Sequence, residues 1–228
     1  NSLYERLSEI LGDLLPTLES DGGVIEAELI QAASPTEFVS RLDSLIKKRE
    51  PLSLGWSTDL DGSLSALSVV LNAEAGEVLV VEEAVLKDPA VLNALEKVAS
   101  PEGIGFDTHH AKEFGRGLRR LGLNAEGLRA DTAIVAYLID PSGGRYVLDD
   151  LLRKYCRSEL ARDDSVNAGQ LNLDGGSNDL LLDVARDALA VNRLVPVLLE
   201  ILEERSMLWL YDEVERPLIS VLSRMEDV

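Results

Sequence analysis

Two short groups of residues carry side chains of the kinds that hold metal ions. Asp59 and Asp61 flank a leucine and precede Gly62, a spacing that can open a calcium-binding loop. Such a loop also needs a further oxygen ligand before its glycine, a glutamate at its twelfth position and flanking helices. Here both flanks have the patterning of strands, so we predict a hairpin turn at this point rather than a calcium site.

The two histidines of the chain, His109 and His110, are adjacent in the sequence. On a helix their side chains would point about 100° apart, whereas a metal-binding pair needs a spacing of four residues. Cys156 is the only cysteine, which leaves neither a zinc ligand set nor a disulfide framework. We therefore predict surface or helix-cap positions for the histidines.

The elements that must position a site change in type along the chain. Three apolar or alternating runs between residues 51 and 81, separated by turn residues, predict an antiparallel meander of three strands. From residue 108 onward helical patterns dominate. Strands followed by helices predict a small sheet covered by helices, of the α/β or α+β class.

Helix signals mark most of the other segments. Residues 34–37 form a capping box with proline at the first helical position, and Asp131 caps a later helix. We predict a short strand at 103–106 and a mobile polar loop at 157–179. Helices are predicted at about 3–15, 34–48, 89–98, 108–121, 131–140, 147–156, 179–205 and 206–226.

The composition bounds the class of protein. A chain of 228 residues suits one sizeable domain, or one domain with an appendage. Its 41 acidic and 22 basic residues give a net charge of −19, which argues against tight stand-alone binding to nucleic acid or to an anionic membrane. No apolar run approaches the roughly 18 residues of a membrane span, and the start is no signal peptide. The single cysteine makes the cytoplasm the expected location.

Two regions resemble sequence signatures of bacterial family A DNA polymerases. Residues 131–141 read DTAIVAYLIDP and residues 146–151 read YVLDDL, which resembles two helices of the exonuclease-type domain in that family. Residues 213–226 read EVERPLISVLSRME, which resembles the helix that enters the polymerase domain. The order and spacing agree over residues 100–226, and more weakly back to residue 51.

This resemblance implies a fold and a division of the chain. The fold is ribonuclease H-like, of the DnaQ exonuclease type, with a mixed sheet of about five strands covered by helices. Residues 1–50 would be a helical linker from the 5′-nuclease side, and residues 51–205 the 3′→5′ exonuclease-like domain. Residues 206–228 would form the helix leading into a polymerase domain, so we expect the chain to be the middle piece of a longer protein.

The resemblance also implies where a two-metal site would lie. Active members hold two divalent ions, Mg²⁺ or Mn²⁺, which activate a water molecule and stabilise the leaving 3′ oxygen. Gly55 and Ser57 occupy the two carboxylate positions of the first motif, and Glu113 lies at or beside that of the second. The third motif keeps Asp187 but has Asp183 in place of the tyrosine that positions the water. We therefore expect only vestiges of the site, with Asp187 and Glu113 as metal ligands only if activity survives.

Three functions follow as hypotheses. The missing carboxylates favour a domain of a replication and repair polymerase that lacks 3′→5′ exonuclease activity and acts as a structural spacer. An active proofreading exonuclease could instead use Asp59 or Asp61 with Glu113 and Asp187, which requires these carboxyl groups to converge within metal-bridging reach. A docking module unrelated to polymerases would need an exposed apolar patch of more than roughly several hundred Å².

The expected partners follow from the first hypothesis. They are the 5′-nuclease and polymerase modules of the same polypeptide, with DNA bound through the whole enzyme and weakly or not at all by this part. We expect no bound cofactor, no membrane partner and a monomeric state. Leu218, Val221, Leu222 and Met225 on the last predicted helix would pack against the polymerase module, so some exposed apolar surface is expected there.

Overall fold

A computed structural model describes residues 23–161 and 176–225 of the chain. The helix predicted at residues 3–15 and most of the loop predicted at 157–179 lie outside these ranges. Within the described residues, no helix is long and apolar enough to cross a membrane.

The described strands are β1 (Val24–Ile25), β2 (Glu28–Gln31), β3 (Leu52–Thr58), β4 (Leu64–Asn72), β5 (Glu77–Glu82), β6 (Phe106–Thr108), β7 (Leu128–Asp131) and β8 (Glu159–Leu160). Six of them form a mixed sheet in the order β2-β5-β4-β3-β6-β7, and β1 and β8 pair separately. The predicted meander is confirmed, because β3, β4 and β5 pair antiparallel. β2, β6 and β7 add parallel pairs at the two edges, so the sheet has one strand more than expected.

Helices cover both faces of this sheet. Two short π-helical segments, Leu152–Cys156 and Tyr211–Glu215, continue the helices Leu148–Leu151 and Leu208–Leu210. The α-helices are α1 (Pro35–Ile46), α2 (Glu83–Leu86), α3 (Pro89–Ala99), α4 (Ala111–Arg120), α5 (Thr132–Ile139), α6 (Leu148–Leu151), α7 (Gly176–Glu204), α8 (Leu208–Leu210) and α9 (Arg216–Met225).

Strand alternation divides the core into two parts, one on each face of the sheet. Ala66, Val78 and Val80 pack with α7 on one face. Leu67 and Val69, which alternate with these positions, pack with α1, α3 and α4 on the other face. We call these the α7 face and the α4 face. Because successive residues of a strand point to opposite faces, the sequence position alone decides which helix each side chain meets.

Two predicted boundaries differ from the structure near residues 103–111. The strand predicted at 103–106 runs instead from Phe106 to Thr108, and α4 starts at Ala111 rather than at 108. His110 is in the left-handed conformation, with φ of 56°, and turns the chain from the strand into the helix. The carboxylate of Asp131 accepts the N–H groups of His110 and Ala111, which fixes the start of α4.

The last predicted helix, at 206–226, is divided in the structure. Ser206 separates it from α7 with a φ of 55°, and α8, the π-helical segment and α9 follow in succession. The phenol of Tyr211 turns inward in the π-helical segment and is 1% exposed. Tyr211 belongs to the same buried cluster as residues of α5 and α7.

Candidate functional site

Gly55 lies at the middle of β3 and faces α7 at very short range. A Cβ atom at this position would collide with the carbonyl oxygen of Val184 and lie 2.8 Å from the backbone nitrogen of Ala188. Only the absence of a side chain lets the helix backbone approach this closely. The place where the first carboxylate of the exonuclease motif was expected is therefore filled by the backbone of α7.

Small polar side chains surround Gly55 on the α7 face. The Ser68 hydroxyl donates to the carbonyl oxygen of Val184 at 2.7 Å, and the Asn192 amide donates to the Ser53 hydroxyl at 3.1 Å. Ser57, the second expected carboxylate position, shares a hydrogen bond of 2.8 Å with the Ser65 hydroxyl. These contacts join the strands to each other and to α7, and they leave no carboxylate on this part of β3.

The two acidic residues of the third motif lie on α7. Asp187 lines a cavity of about 200 Å³ together with Gly55, Trp56, His109 and His110. The structure thus brings Asp187 and Gly55 together, as the resemblance implies. Asp183 lies one turn earlier, half-buried, and its carboxylate pairs with Arg186 at 3.3 Å.

Glu113 does not join this cavity. It lies on α4, whose Phe114 stacks on Trp56 with ring centroids 5.8 Å apart. Trp56 alternates with Gly55 along β3, so α4 and α7 cover opposite faces of the sheet. Glu113 is exposed, lies 3.8 Å from Lys112, and lines a separate shallow cavity with Arg116 and Arg120.

Asp59 and Asp61 form the predicted hairpin turn between β3 and β4. The N–H of Gly62 donates to the carbonyl oxygen of Asp59 at 2.9 Å, and Gly62 has a φ of +84°. The Asp61 carboxylate accepts from the backbone and hydroxyl of Ser63, which lowers its pKa. Asp59 and Asp61 therefore both accept hydrogen bonds within the turn.

The histidines occupy two different environments. His110 is exposed and precedes the first residue of α4, as predicted for a cap position. His109 is half-buried, and its Nδ1 lies 2.8 Å from the Thr132 hydroxyl. Burial, with a smaller effect of the His110 ring, lowers the pKa of His109 to about 3. His109 is therefore neutral at physiological pH.

Asp131 has a role that the sequence revealed only in part. Its carboxylate accepts the N–H of Ala133 at 2.9 Å, which is the predicted cap of α5. The same carboxylate accepts the N–H groups of His110 at 3.2 Å and Ala111 at 2.7 Å, and so caps α4 as well. Burial raises the pKa of Asp131, and the three N–H donors oppose that effect. No local pattern could show the second cap, because α4 begins 20 residues earlier in the chain.

A second buried carboxylate belongs to Asp107 on β6. The guanidinium of Arg129 on β7 donates two hydrogen bonds to it, one of them from Nε at 2.7 Å. Burial raises the pKa of Asp107, and the Arg129 charge opposes the rise. This bidentate pair joins edge strand β7 to its parallel neighbour β6, and neither strand is long.

The donors around the cavity at Asp187 do not fit a two-metal centre. Such a centre needs several carboxylates bridging two ions about 4 Å apart, whereas Asp187 is the one carboxylate among the described residues that lines this cavity. Across residues 23–161 and 176–225, no group of three or more His, Cys, Asp or Glu side chains could hold a metal ion.

Comparisons with known proteins connect this fold to a family. No family model matches the sequence. A DNA polymerase I from Mycobacterium bovis is 32% identical over 175 residues, which cover 74% of this chain. A DNA polymerase I from Bacillus subtilis is 31% identical over 110 residues, or 48% of this chain. The chain spans 19% and 12% of the length of these two relatives.

Solved structures agree with the sequence comparison. A structure described as the POL domain of Pol1 from M. smegmatis, in complex with DNA primer-template and dNTP, has a TM-score of 0.69 at 25% identity. That match covers 87% of this chain and 32% of the other. Brucella melitensis NrnC has a TM-score of 0.62 at 17% identity, covering 89% and 93% of the two chains, and thus shows the fold alone.

The expected fold is confirmed by these structural neighbours. They also include Trypanosoma brucei RNase D, which has a TM-score of 0.57 at 14% identity and covers 75% of this chain and 66% of the other. The relationship to DNA polymerase I also excludes the hypothesis of a docking module unrelated to polymerases. By sequence and by fold, this chain belongs to the DNA polymerase I family and corresponds to its exonuclease-like domain, with the ribonuclease H-like fold.

Proposed function

We propose that this domain lacks 3′→5′ exonuclease activity and acts as a structural spacer between the 5′-nuclease and polymerase modules of a DNA polymerase I. The observation that carries the proposal is the contact between Gly55 and α7. A carboxylate at position 55 would collide with the backbone of Val184. The first motif therefore lacks a ligand and also lacks the space for one.

The other expected ligands support the same conclusion. Ser57 offers a hydroxyl that is already hydrogen-bonded to Ser65, and Glu113 lies on the opposite face of the sheet from Asp187. A single carboxylate holds Mg²⁺ weakly, because the ion keeps most of its water ligands in such a site. Two ions cannot be placed for an in-line displacement by Asp187 alone.

The spacer role is supported by an apolar surface on the C-terminal segment. Among the described residues, six of the eleven exposed large apolar side chains fall between residues 209 and 225. A concentration of this kind marks a surface that another structure covers. The six are Trp209, Val214, Leu218, Val221, Leu222 and Met225, which we call the C-terminal apolar surface.

The helix that carries this surface is held firmly on the domain. Gly115 lets Ser223 approach α4, since a Cβ there would lie 3.2 Å from the Ser223 hydroxyl. That hydroxyl donates to the carbonyl oxygen of Lys112 at 3.0 Å and accepts from Arg119 at 2.8 Å. Because α9 is fixed on the domain in this way, a module packed on its outer side would take one orientation relative to the domain.

A nuclease assay tests the first half of the proposal. The purified chain is incubated with 5′-labelled single-stranded DNA and Mg²⁺ or Mn²⁺, next to the Asp187→Ala variant. We expect the two proteins to leave the DNA equally intact. Metal-dependent shortening that disappears in Asp187→Ala would overturn the proposal, and it would show that other carboxylates complete a site.

The spacer role needs the neighbouring module in the same polypeptide. Leu222→Glu in a protein containing both this domain and the polymerase module should increase protease cleavage between them, because the charge would be buried in the contact. Val147→Glu is the control, since Val147 is similarly exposed at 45% but lies outside the C-terminal apolar surface. Equal cleavage of the two variants would refute the packing of the module on this surface.

A further inference from the structure

A second cavity lies away from Asp187, between α4, the loop at residues 124–128 and α9. Its volume is about 430 Å³, and Arg119, Arg216 and Arg224 all contribute to its wall. Asn124 and Ser220 add neutral polar groups to the same wall, and Glu126 is the one acidic residue that lines it. We call this space the arginine cavity.

Two of its guanidinium groups have hydrogen-bonding capacity left over. Each guanidinium carries five N–H donors. The Nε of Arg216 is buried and makes no hydrogen bond within the described structure, while its other contacts are Leu128 O at 3.4 Å and Asp212 at 3.2 Å. Arg224 contacts the Ser220 oxygens at 3.3 and 3.5 Å and the Glu126 carboxylate at 4.0 Å. The contacts of Arg224 are long and weak, and those of Arg216 leave its Nε without an acceptor in the described structure, so both groups remain able to bind an anion.

The wall of this cavity is basic, although the chain is acidic. Among the described residues, three arginines and one glutamate line the cavity, which gives a formal charge of +2, whereas the chain as a whole carries −19. Basic residues gathered on one face of an acidic protein provide a local site for an anion.

We propose that the arginine cavity binds backbone phosphates of a DNA strand. Guanidinium groups suit phosphate because their planar N–H pairs match its oxygens. Val221 of the C-terminal apolar surface also lines the cavity, so a strand held there would run beside the docked module. The choice of DNA rests on the proposed placement in a DNA polymerase I, and it does not depend on the loss of exonuclease activity.

The binding of the isolated chain is expected to be weak and sensitive to salt. Contact with two phosphates of a single strand gives a slope of log K against log salt of about −1.4. The acidic remainder of the chain repels DNA at low salt, which lowers the affinity without moving the site. The slope of log K against log salt therefore reports the number of phosphate contacts more reliably than the affinity does.

Fluorescence anisotropy of a labelled oligothymidylate, measured over a series of salt concentrations, tests the proposal. Arg224→Gln should lower the size of the slope by about 0.7, the value for one lost phosphate contact. Arg41→Gln is the matched control, because Arg41 is also a surface arginine with an acidic partner, Glu37, but lies on α1. Asn124→Asp should weaken binding by placing a negative charge in the wall, whereas Asn93→Asp on α3 should not.

The outcomes separate this proposal from its competitors. Binding that Arg224→Gln and Asn124→Asp weaken, and that their controls leave unchanged, supports the arginine cavity. No binding at low salt, or equal effects of variants and controls, overturns it. Binding of polyglutamate but not of oligothymidylate would also overturn it, since the cavity would then fit an acidic protein segment. A positive nuclease assay would contradict the proposed function and leave these results as they stand.

Discussion

The backbone N–H of Asp131 donates a hydrogen bond of 2.8 Å to the phenolic oxygen of Tyr211, although the two residues are 80 positions apart in the chain. Asp131 ends β7 and caps two helices, while Tyr211 lies in the π-helical segment that precedes α9. This bond connects the centre of the domain to the segment that carries the C-terminal apolar surface. Burial and the nearby Asp131 carboxyl raise the pKa of Tyr211, so the phenol keeps its proton.

Tyr211→Phe removes this acceptor and leaves the N–H of Asp131 buried without its partner. We expect the free energy of unfolding to fall by about 1–2 kcal/mol, as for a buried hydrogen bond that loses one partner. Urea denaturation measures the change. Tyr137→Phe, at a side chain that is 43% exposed, should change the free energy of unfolding by less than about 0.5 kcal/mol.

Asp131→Ala should be among the most destabilising substitutions in the chain. It removes the acceptor of three N–H groups at the starts of α4 and α5, and we expect a loss of about 3–5 kcal/mol. Asp88→Ala is the matched control, because Asp88 is an exposed cap that accepts only the N–H of Ala90. Its loss should cost about 1 kcal/mol. Equal costs in urea denaturation would refute the double-cap role.

Gly55→Ala tests the close approach of β3 and α7. The added methyl group must displace the backbone of α7, and we expect a loss of about 3 kcal/mol in the free energy of unfolding. Gly23→Ala meets no atom of the described residues within 4 Å and should be nearly neutral. A neutral Gly55→Ala would show that the helix can move aside.

Restoring the first motif should not restore activity. The double variant Gly55→Asp and Ser57→Glu supplies both carboxylates, yet Asp at position 55 still collides with Val184. We expect no metal-dependent shortening of labelled single-stranded DNA, together with a lower melting temperature. Recovered activity in a folded double variant would contradict the occlusion of this position.

His109 should make the domain sensitive to acid. Its pKa is about 3 in the folded chain against 6.5 in a model peptide, so only the unfolded chain takes up a proton as the pH falls below about 6.5. The free energy of unfolding should therefore fall by about 1–2 kcal/mol between pH 7 and pH 5 because of this residue. His109→Gln should remove that component.

The matched control for this pH dependence is His110→Gln, whose histidine is exposed. Urea denaturation at both pH values should show a smaller acid loss in His109→Gln than in His110→Gln. Asp107 and Asp131 have raised pKa values in the folded chain, so their protonation raises the free energy of unfolding as the pH falls. Both carboxyl groups are present in all three proteins. Identical pH profiles for the two variants would contradict the assignment.

Local sequence patterns predicted the elements that are stabilised by contacts between residues close together in the chain. The Ser34 hydroxyl accepts the N–H of Glu37 at 3.3 Å, so the predicted capping box starts α1. The turn at Asp59–Gly62 forms the predicted hairpin, because its polar and glycine residues satisfy the turn by themselves. Residues 131–141, 146–151 and 213–226 carried the family resemblance, and with it the expected fold. The resemblance also named Gly55 and Asp187 as positions of one vestigial site.

The tertiary structure alone decided the features that depend on residues far apart in the chain. β2 and β7 are short strands that carry little signal of their own and form because β5 and β6 offer them partners. The second cap of Asp131 and the collision at Gly55 arise where distant segments meet. Spacing predicts which residues share a face of one element, whereas packing decides which elements meet. That difference is why Glu113 and Asp187 could be named from the sequence but not placed on opposite faces of the sheet.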